Sequence, residues 1–249
     1  MFLYVIPVGS GILVILGVYL FLKTKRTYDT GKALSIGISF GWWVLDLVHC
    51  LLVALSSLYS IWPIPFNEMA TLLGGSVMLG VGVVLMLDGM IEFRSVGRIS
   101  GSDTSELVTT GIYRWSRNPQ YLGWFLILLG LSVIGSSGLA LLYTIIGIIL
   151  FHFYITQMEE SYLEHIFGEK YLLYKEGTPR YFGLPKRKRY SRPRKIYACI
   201  IETLINEDAR ALNKLILRKP FVAFHKIFLL MMHTYIILIG FFIIFFFLF

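Results

Sequence analysis

The sequence predicts an all-α fold, a polytopic membrane helix bundle of about six transmembrane helices with a cytoplasmic helical cap. Three observations predict it. The 249 residues are 56% hydrophobic and only 15% charged, against roughly 25% charged in soluble domains. The apolar residues gather in runs close to the ~20 residues that cross a bilayer. The basic residues are also sorted: all 23 Lys and Arg lie in 23–32, 94–117 and 170–226, and the intervening loops 60–68 and 135–138 hold none. Short basic loops stay on the cytoplasmic side, so six spans put both termini outside and the three basic segments inside. The net charge of +8 is thus a membrane-topology signal. No soluble module accompanies it, so nucleic acid is not an expected partner.

The runs read, in order, 2–22, 33–59, 69–91, 119–135, 138–157 and 221–248. Residues 2–22 lack a basic start and a small-residue cleavage site, so they read as a retained span. Residues 1–68 form a first unit of two spans, with Gly37 and Gly41 one turn apart in the second. The third span carries Gly75, Gly82 and Gly89 at seven-residue spacing, a small-residue face that lets another helix approach closely. Residues 100–105, Ser-Gly-Ser-Asp-Thr-Ser, read as a loop. The fourth span is short. It joins the fifth through 135–138, Gly-Ser-Ser-Gly, a hairpin that returns the chain to the cytoplasmic face. Residues 158–176 continue as a helix with Leu163, Ile166, Phe167, Tyr171 and Tyr174 at helical spacing. The predicted core unit is therefore 69–183. Beyond it lie a basic interfacial segment at 184–220, suited to anionic lipid headgroups, and a C-terminal anchor at 221–249. Cys50 falls in a span and Cys199 on the cytoplasmic side, so a disulfide is not expected. No Cys/His cluster has metal-ligand spacing.

Chemistry concentrates at two places. Arg114 and Arg117 stand at the start of the fourth span and can grip a carboxylate or phosphate with a planar fork. Pro119 suits the first helical position, and Asn118 before it can cap the first turn. Tyr113, Trp115 and Tyr121 add aromatic faces. About 35 residues on, Glu159 and Glu160 end the fifth span, returned to the same face by the hairpin. Such charges are costly near a bilayer and are kept for function. An interfacial anchor with an aromatic belt is the plainer reading of the same residues.

The order of these residues resembles a known family. Leu107-Val-Thr-Thr-Gly-Ile-Tyr-Arg-Trp-Ser-Arg-Asn-Pro-Gln-Tyr-Leu-Gly123 is similar to the signature of the isoprenylcysteine carboxyl methyltransferases, whose wider family includes the phospholipid N-methyltransferases. So is the tail, Glu159-Glu160 followed by Leu163, Phe167-Gly168, Tyr171 and Tyr174, with Pro179-Arg180 after it. The resemblance covers roughly 70–183. It implies S-adenosylmethionine as cofactor, held by Tyr113, Arg114, Arg117, Asn118, Pro119, Tyr121, Gly123, Glu159, Glu160 and Tyr171. It implies catalytic roles for Arg117 and Glu160, no metal, and a lipophilic, membrane-embedded methyl acceptor. The eukaryotic prenylcysteine enzymes carry His where this chain has Asn118. Asn cannot shuttle a proton near neutral pH, which puts both a base at this position and a prenylcysteine acceptor in doubt.

The residue types suit that chemistry. Methyl transfer from a sulfonium gains mostly from alignment. Arginine suits the donor's carboxylate, a glutamate its amine or ribose, and tyrosine faces its sulfonium. Other intramembrane polar residues are candidates too. His152, Thr156 and Glu159 share one face at helical spacing, Asp46 and His49 are one turn apart and suit a polar pair, and Asp88 and Glu92 lie near the expected cofactor depth. A nicotinamide-dependent reductase of the sterol-reductase type and a non-enzymatic membrane protein are the alternatives.

Overall fold

The computed structural model describes residues 2–94 and 96–184. The basic interfacial segment, Cys199 and the 221–248 anchor expected from the sequence lie outside these residues.

Four long helical segments are apolar enough to cross a membrane. They include α1 (Phe2–Asp29), α2 (Ile36–Leu58) and α3 (Glu68–Phe93). The fourth is one rod made of α6 (Gly138–Tyr154), a wide turn at Ile155–Glu159, and α7 (Glu160–Phe167). Helix α5 (Pro119–Ile134) has 16 residues, shorter than the others. The structure thus shows four long spans and one short apolar helix where six spans are expected, the sixth falling outside the described residues. A short α4 (Val96–Ile99), a 3₁₀ turn at Gly111–Arg114 and α8 (Glu169–Gly177) complete the order.

Helices start where short polar side chains can satisfy open backbone N–H groups. Ser35, Asn67 and Ser137 accept from Ile38, Ala70 and Ala140 at the heads of α2, α3 and α6. In lipid such satisfaction is required, because no water can supply it.

The α3–α5 pair is the tightest contact and places the arginine motif. A Cβ on Gly82 would lie 2.6 Å from the Gly123 carbonyl, and one on Gly123 would lie 2.5 Å from the Gly82 carbonyl. Gly75 and Gly130 repeat this reciprocal fit one layer away, at 2.8 and 2.7 Å. Gly89 closes the seam against Pro119 and Gln120. The backbones touch because neither helix carries a side chain there. Gly80, beside the seam in sequence, faces open space. Gln120 locks the end of the seam by donating to the Gly89 carbonyl at 3.1 Å.

At the far end of the bundle α5 turns into α6 through residues 135–138, with Ser137 donating to the Ile61 carbonyl and Gly135 pressed onto Ser57. The predicted hairpin is therefore present. The α7 stretch departs from the sequence reading. Gly168 takes φ +51, a region that favours glycine, and it separates α7 from α8. Leu163, Ile166 and Phe167 therefore do not share a helix face with Tyr171 and Tyr174, and Ile166 stays exposed.

Candidate functional site

The wide turn sets the site. The N–H of Glu160 bonds the Ile155 carbonyl, five residues back, so the rod takes in one extra residue and its phase changes. Thr156 still bonds back to His152 at 2.8 Å, but beyond it the face drawn from a regular 3.6-residue period is broken. His152 turns to Tyr181, at 2.7 Å, while Glu159 and Glu160 turn to the start of α5.

Glu160 is the centre of a charge knot. Arg117 Nη1 lies 3.0 Å from its Oε1, and both side chains are buried, at 7% and 5% exposure. Arg180 grips the same carboxylate with a fork, Nε to Oε1 at 2.8 Å and Nη2 to Oε2 at 2.9 Å. Such a two-point pairing fixes direction as well as charge. Lys175 approaches Oε2 at 3.7 Å and also pairs with Glu164. The Arg180 guanidinium is held more firmly protonated by its hydrogen bond to Glu160.

The segment 178–184 is strapped onto the arginine motif. Arg117 N–H donates to the Pro179 carbonyl at 3.0 Å, and Gly183 N–H to the Trp115 carbonyl at 3.2 Å. Ser116 Oγ and Asn118 Nδ2 both donate to the Arg180 carbonyl, at 3.4 and 3.1 Å. The Asn118 side chain therefore does not cap α5 as its position suggests. A tertiary carbonyl takes its amide, and Ser116 Oγ instead receives the Asn118 N–H at 3.0 Å.

Above the knot lies an aromatic wall. Tyr171 Oη stands 3.5 Å from Arg117 Nη1. Burial, with the Glu160 charge beside it, raises the Tyr171 hydroxyl above the usual phenol range. Tyr174 donates to the Tyr113 carbonyl at 2.7 Å, and burial raises the Tyr113 hydroxyl as well. Tyr121 donates to Glu159 Oε2 at 3.1 Å, and its ring faces Phe151 at 5.6 Å. Trp42 packs on Tyr154 at 5.1 Å. Tyr28 stacks on Tyr162 at 4.1 Å and nearly flat.

Of the residues expected from the sequence, Arg117, Asn118, Tyr121, Glu159, Glu160 and Tyr171 come together here. Gly123 and Pro119 lie instead on the α3 seam. Tyr113 is buried beneath α8, donating nothing to the knot and accepting from Gln120 and Tyr174. Arg114 is exposed, and no described residue pairs with it. Asp88 is exposed, and Glu92 accepts from Thr110 at 2.9 Å. His49 pairs with the Tyr143 carbonyl at 3.0 Å rather than with Asp46. The sequence reading missed Arg180 as a site residue, although Pro179-Arg180 was part of the tail motif. It also missed Tyr28 and Trp42, which reach the site from α1 and α2 with no local signal of doing so.

One buried polar atom of the knot has no partner among the described residues, the Arg117 Nε–H. Leaving a buried donor unpaired is costly, and an incoming carboxylate would satisfy it.

Part of the chain is similar in sequence to known proteins. Residues 70–170 match the family model described as phospholipid methyltransferase. A Protein-S-isoprenylcysteine O-methyltransferase of Xenopus laevis is 39% identical over 116 residues, which is 45% of this chain and 39% of that protein. The Homo sapiens protein of the same name is 39% identical over 38% of this chain and 32% of its own length. That of Saccharomyces cerevisiae is 38% identical over 28% of this chain and 29% of its own. The chain thus spans well under half the length of these relatives. No solved structure matches it. The matched segment 70–170 holds the glycine seam, the arginine motif, the hairpin and both glutamates, and over it the chain is similar to the phospholipid methyltransferases.

Proposed function

We propose that this protein transfers a methyl group from S-adenosylmethionine to a lipophilic acceptor in the membrane, at a site on the cytoplasmic side. The observation that carries this reading is the buried Arg117 with its unpaired Nε–H, set in the Glu160–Arg180 knot beneath an aromatic wall. The family supplies the methyl donor, and the residues present fit it. The donor's carboxylate matches Arg117 Nε–H. Its amine or ribose hydroxyls match Glu159, whose Oε2 accepts from Tyr121. The sulfonium suits the faces of Tyr121 and Phe151.

S-adenosylmethionine, when bound, supplies an electrophilic methyl on a positively charged sulfur. The chain's work is binding and alignment. Arg117 and Asn118 are fixed by the strap, so the donor's carboxylate would be held without rearrangement at the moment of reaction. Glu160 is already saturated by Arg117 and Arg180, so its role is to hold them in place. Glu159 is the freer carboxylate and the better placed to orient a polar group or receive a proton. The basic segments at 23–32, 94–117 and 170–226 support a cytoplasmic position for this end of the bundle, the side from which a water-soluble donor would enter. The acceptor would enter sideways, between helices.

Calorimetry on full-length protein in detergent tests the reading, with S-adenosylmethionine, S-adenosylhomocysteine and NADPH as titrants. The first two are expected to bind and Arg117→Ala to abolish that binding. Binding of NADPH alone would favour the reductase reading and end this one.

A further inference from the structure

One side chain of α1 grips the wide turn at Ile155–Glu159 from both ends. Tyr28, in the last turn of α1, lies on the ring of Tyr162 at 4.1 Å and 12°, just past the turn. Its hydroxyl stands 3.4 Å from that of Tyr154, the residue just before the turn. Between these contacts Tyr28 packs on the cluster of Tyr154, Ile155 and Met158, the last two being residues of the turn itself. Both gripped residues have a further support. The Thr104 hydroxyl is 3.2 Å from that of Tyr162, and Trp42 packs on Tyr154 at 5.1 Å. The chain beyond Tyr28 stays close to α7, since a Cβ on Gly31 would lie 3.0 Å from His165 Cε1.

A single wide turn is rare in a helix, because regular bonding four residues back is the ordinary outcome for the same chain. Contacts from elsewhere must hold it open. The knot does so through Glu160, with Arg117 and Arg180. Tyr28 is a second brace, set on the residues that flank the glutamates rather than on the glutamates. With Tyr154 and Tyr162 held to one ring, the turn between them cannot close without giving up one of the two contacts. Helix α1 lies outside residues 70–170, the part that matches the family model, so this brace stands apart from the matched motifs.

We propose that Tyr28 is a positioning residue of the site: by gripping the rod on both sides of the wide turn, it keeps Glu159 aimed at Tyr121 and Glu160 aimed at Arg117. Its importance for the methyl donor rests on the reading of that pocket as a methyl-transfer site. The N-terminal spans thereby take part in donor binding without touching the donor.

The test uses full-length protein in detergent and two readouts. Calorimetry measures S-adenosylmethionine binding. Thermal unfolding measures how far Glu160→Gln lowers the melting point, which reports the Arg117–Glu160 pair without any donor. Tyr28→Leu keeps an apolar side chain but has neither the flat ring nor the hydroxyl. It should weaken donor binding about tenfold, the loss expected when the open turn falls to about one tenth of the population. It should also shrink the Glu160→Gln effect by about half or more, as two coupled residues require. Tyr28→Phe keeps the stack and should bind within about threefold of the wild type. Deleting Gln157, an exposed residue of the turn, removes the extra residue, so that a regular helix aims the glutamates as the wide turn did. Added to Tyr28→Leu, this deletion should restore both readouts. An undiminished Glu160→Gln effect in Tyr28→Leu would overturn the proposal. So would a loss that the deletion leaves in place, which is what a merely supporting side chain gives. The methyl-transfer reading fails separately. If the wild type binds no S-adenosylmethionine while the Glu160→Gln effect still follows Tyr28 and the deletion, the role of Tyr28 stands and that reading goes. If the donor binds and neither readout responds to Tyr28, the reverse holds.

Discussion

Glu159 and Glu160 are adjacent in sequence, and the structure predicts opposite consequences for neutralising them. In Glu160→Gln the side chain keeps its size and loses its charge, while Arg117 stays buried at 7% exposure. Removing one partner of a buried ion pair costs about 3–5 kcal/mol, because the other charge is left without compensation. Arg180 and Lys175 are 32% and 37% exposed and can turn toward water, so the penalty falls mainly on Arg117 and the lower figure of about 3 kcal/mol applies. For a chain of this size 1 kcal/mol moves the melting point by about 2–4 °C, which gives a drop of roughly 6–12 °C. Glu159→Gln keeps a carbonyl that can accept from Tyr121, and it should cost less than about 1 kcal/mol. Thermal unfolding in detergent, followed by tryptophan emission, compares the two. The reasoning fails if Glu160→Gln melts within about 2 °C of the wild type, or if Glu159→Gln falls as far.

Gly82→Ala should lower stability by about 1–3 kcal/mol, since its new Cβ meets backbone that cannot retreat, whereas Gly80→Ala should melt no lower than the wild type because nothing stands near that position. Gly111→Ala should disturb the arginine motif, because the residue has φ +52 and a Cβ would overlap the Glu92 carboxylate; limited proteolysis of the 94–118 segment would report it. Arg117→Lys keeps the charge and loses the fork, so calorimetry should show S-adenosylmethionine binding weakened by about tenfold or more, with a smaller stability loss than Glu160→Gln.

The sequence made the central juxtaposition legible for a simple reason. Two apolar helices joined by four turn residues, Gly-Ser-Ser-Gly, have only one economical arrangement, and it returns Glu159 and Glu160 to the level of Arg117. Glycines at seven-residue spacing likewise announced a packed face, and Gly75, Gly82 and Gly89 form one. Other features had no local signal. Gly123 fits the family motif and the helix seam equally well on paper, and only the facing Gly82 carbonyl decides between them. Asn118 reads as a cap because nothing nearby in sequence competes for its amide; the competitor, the Arg180 carbonyl, arrives from 62 residues away. Asp46 and His49 suit a pair by spacing, but His49 finds a carbonyl on another helix. The wide turn at Ile155–Glu159 is a property of backbone bonding that no residue type in it announces.

That wide turn has a consequence for how the protein can change. An α-helix advances by about 100° per residue, so closing the turn at 155–159 into regular helix with every residue kept would swing everything after it by roughly that angle. Glu159 and Glu160 would then turn away from Tyr121 and Arg117, with no side chain altered. Point substitutions upstream, on the outward faces of Ile149 and Leu150, leave the carboxylates where they are. The direction of the glutamates therefore hangs on the backbone bonding of one turn, and the two halves on either side of it are free to adapt to different surroundings, one to the bilayer and one to the strap.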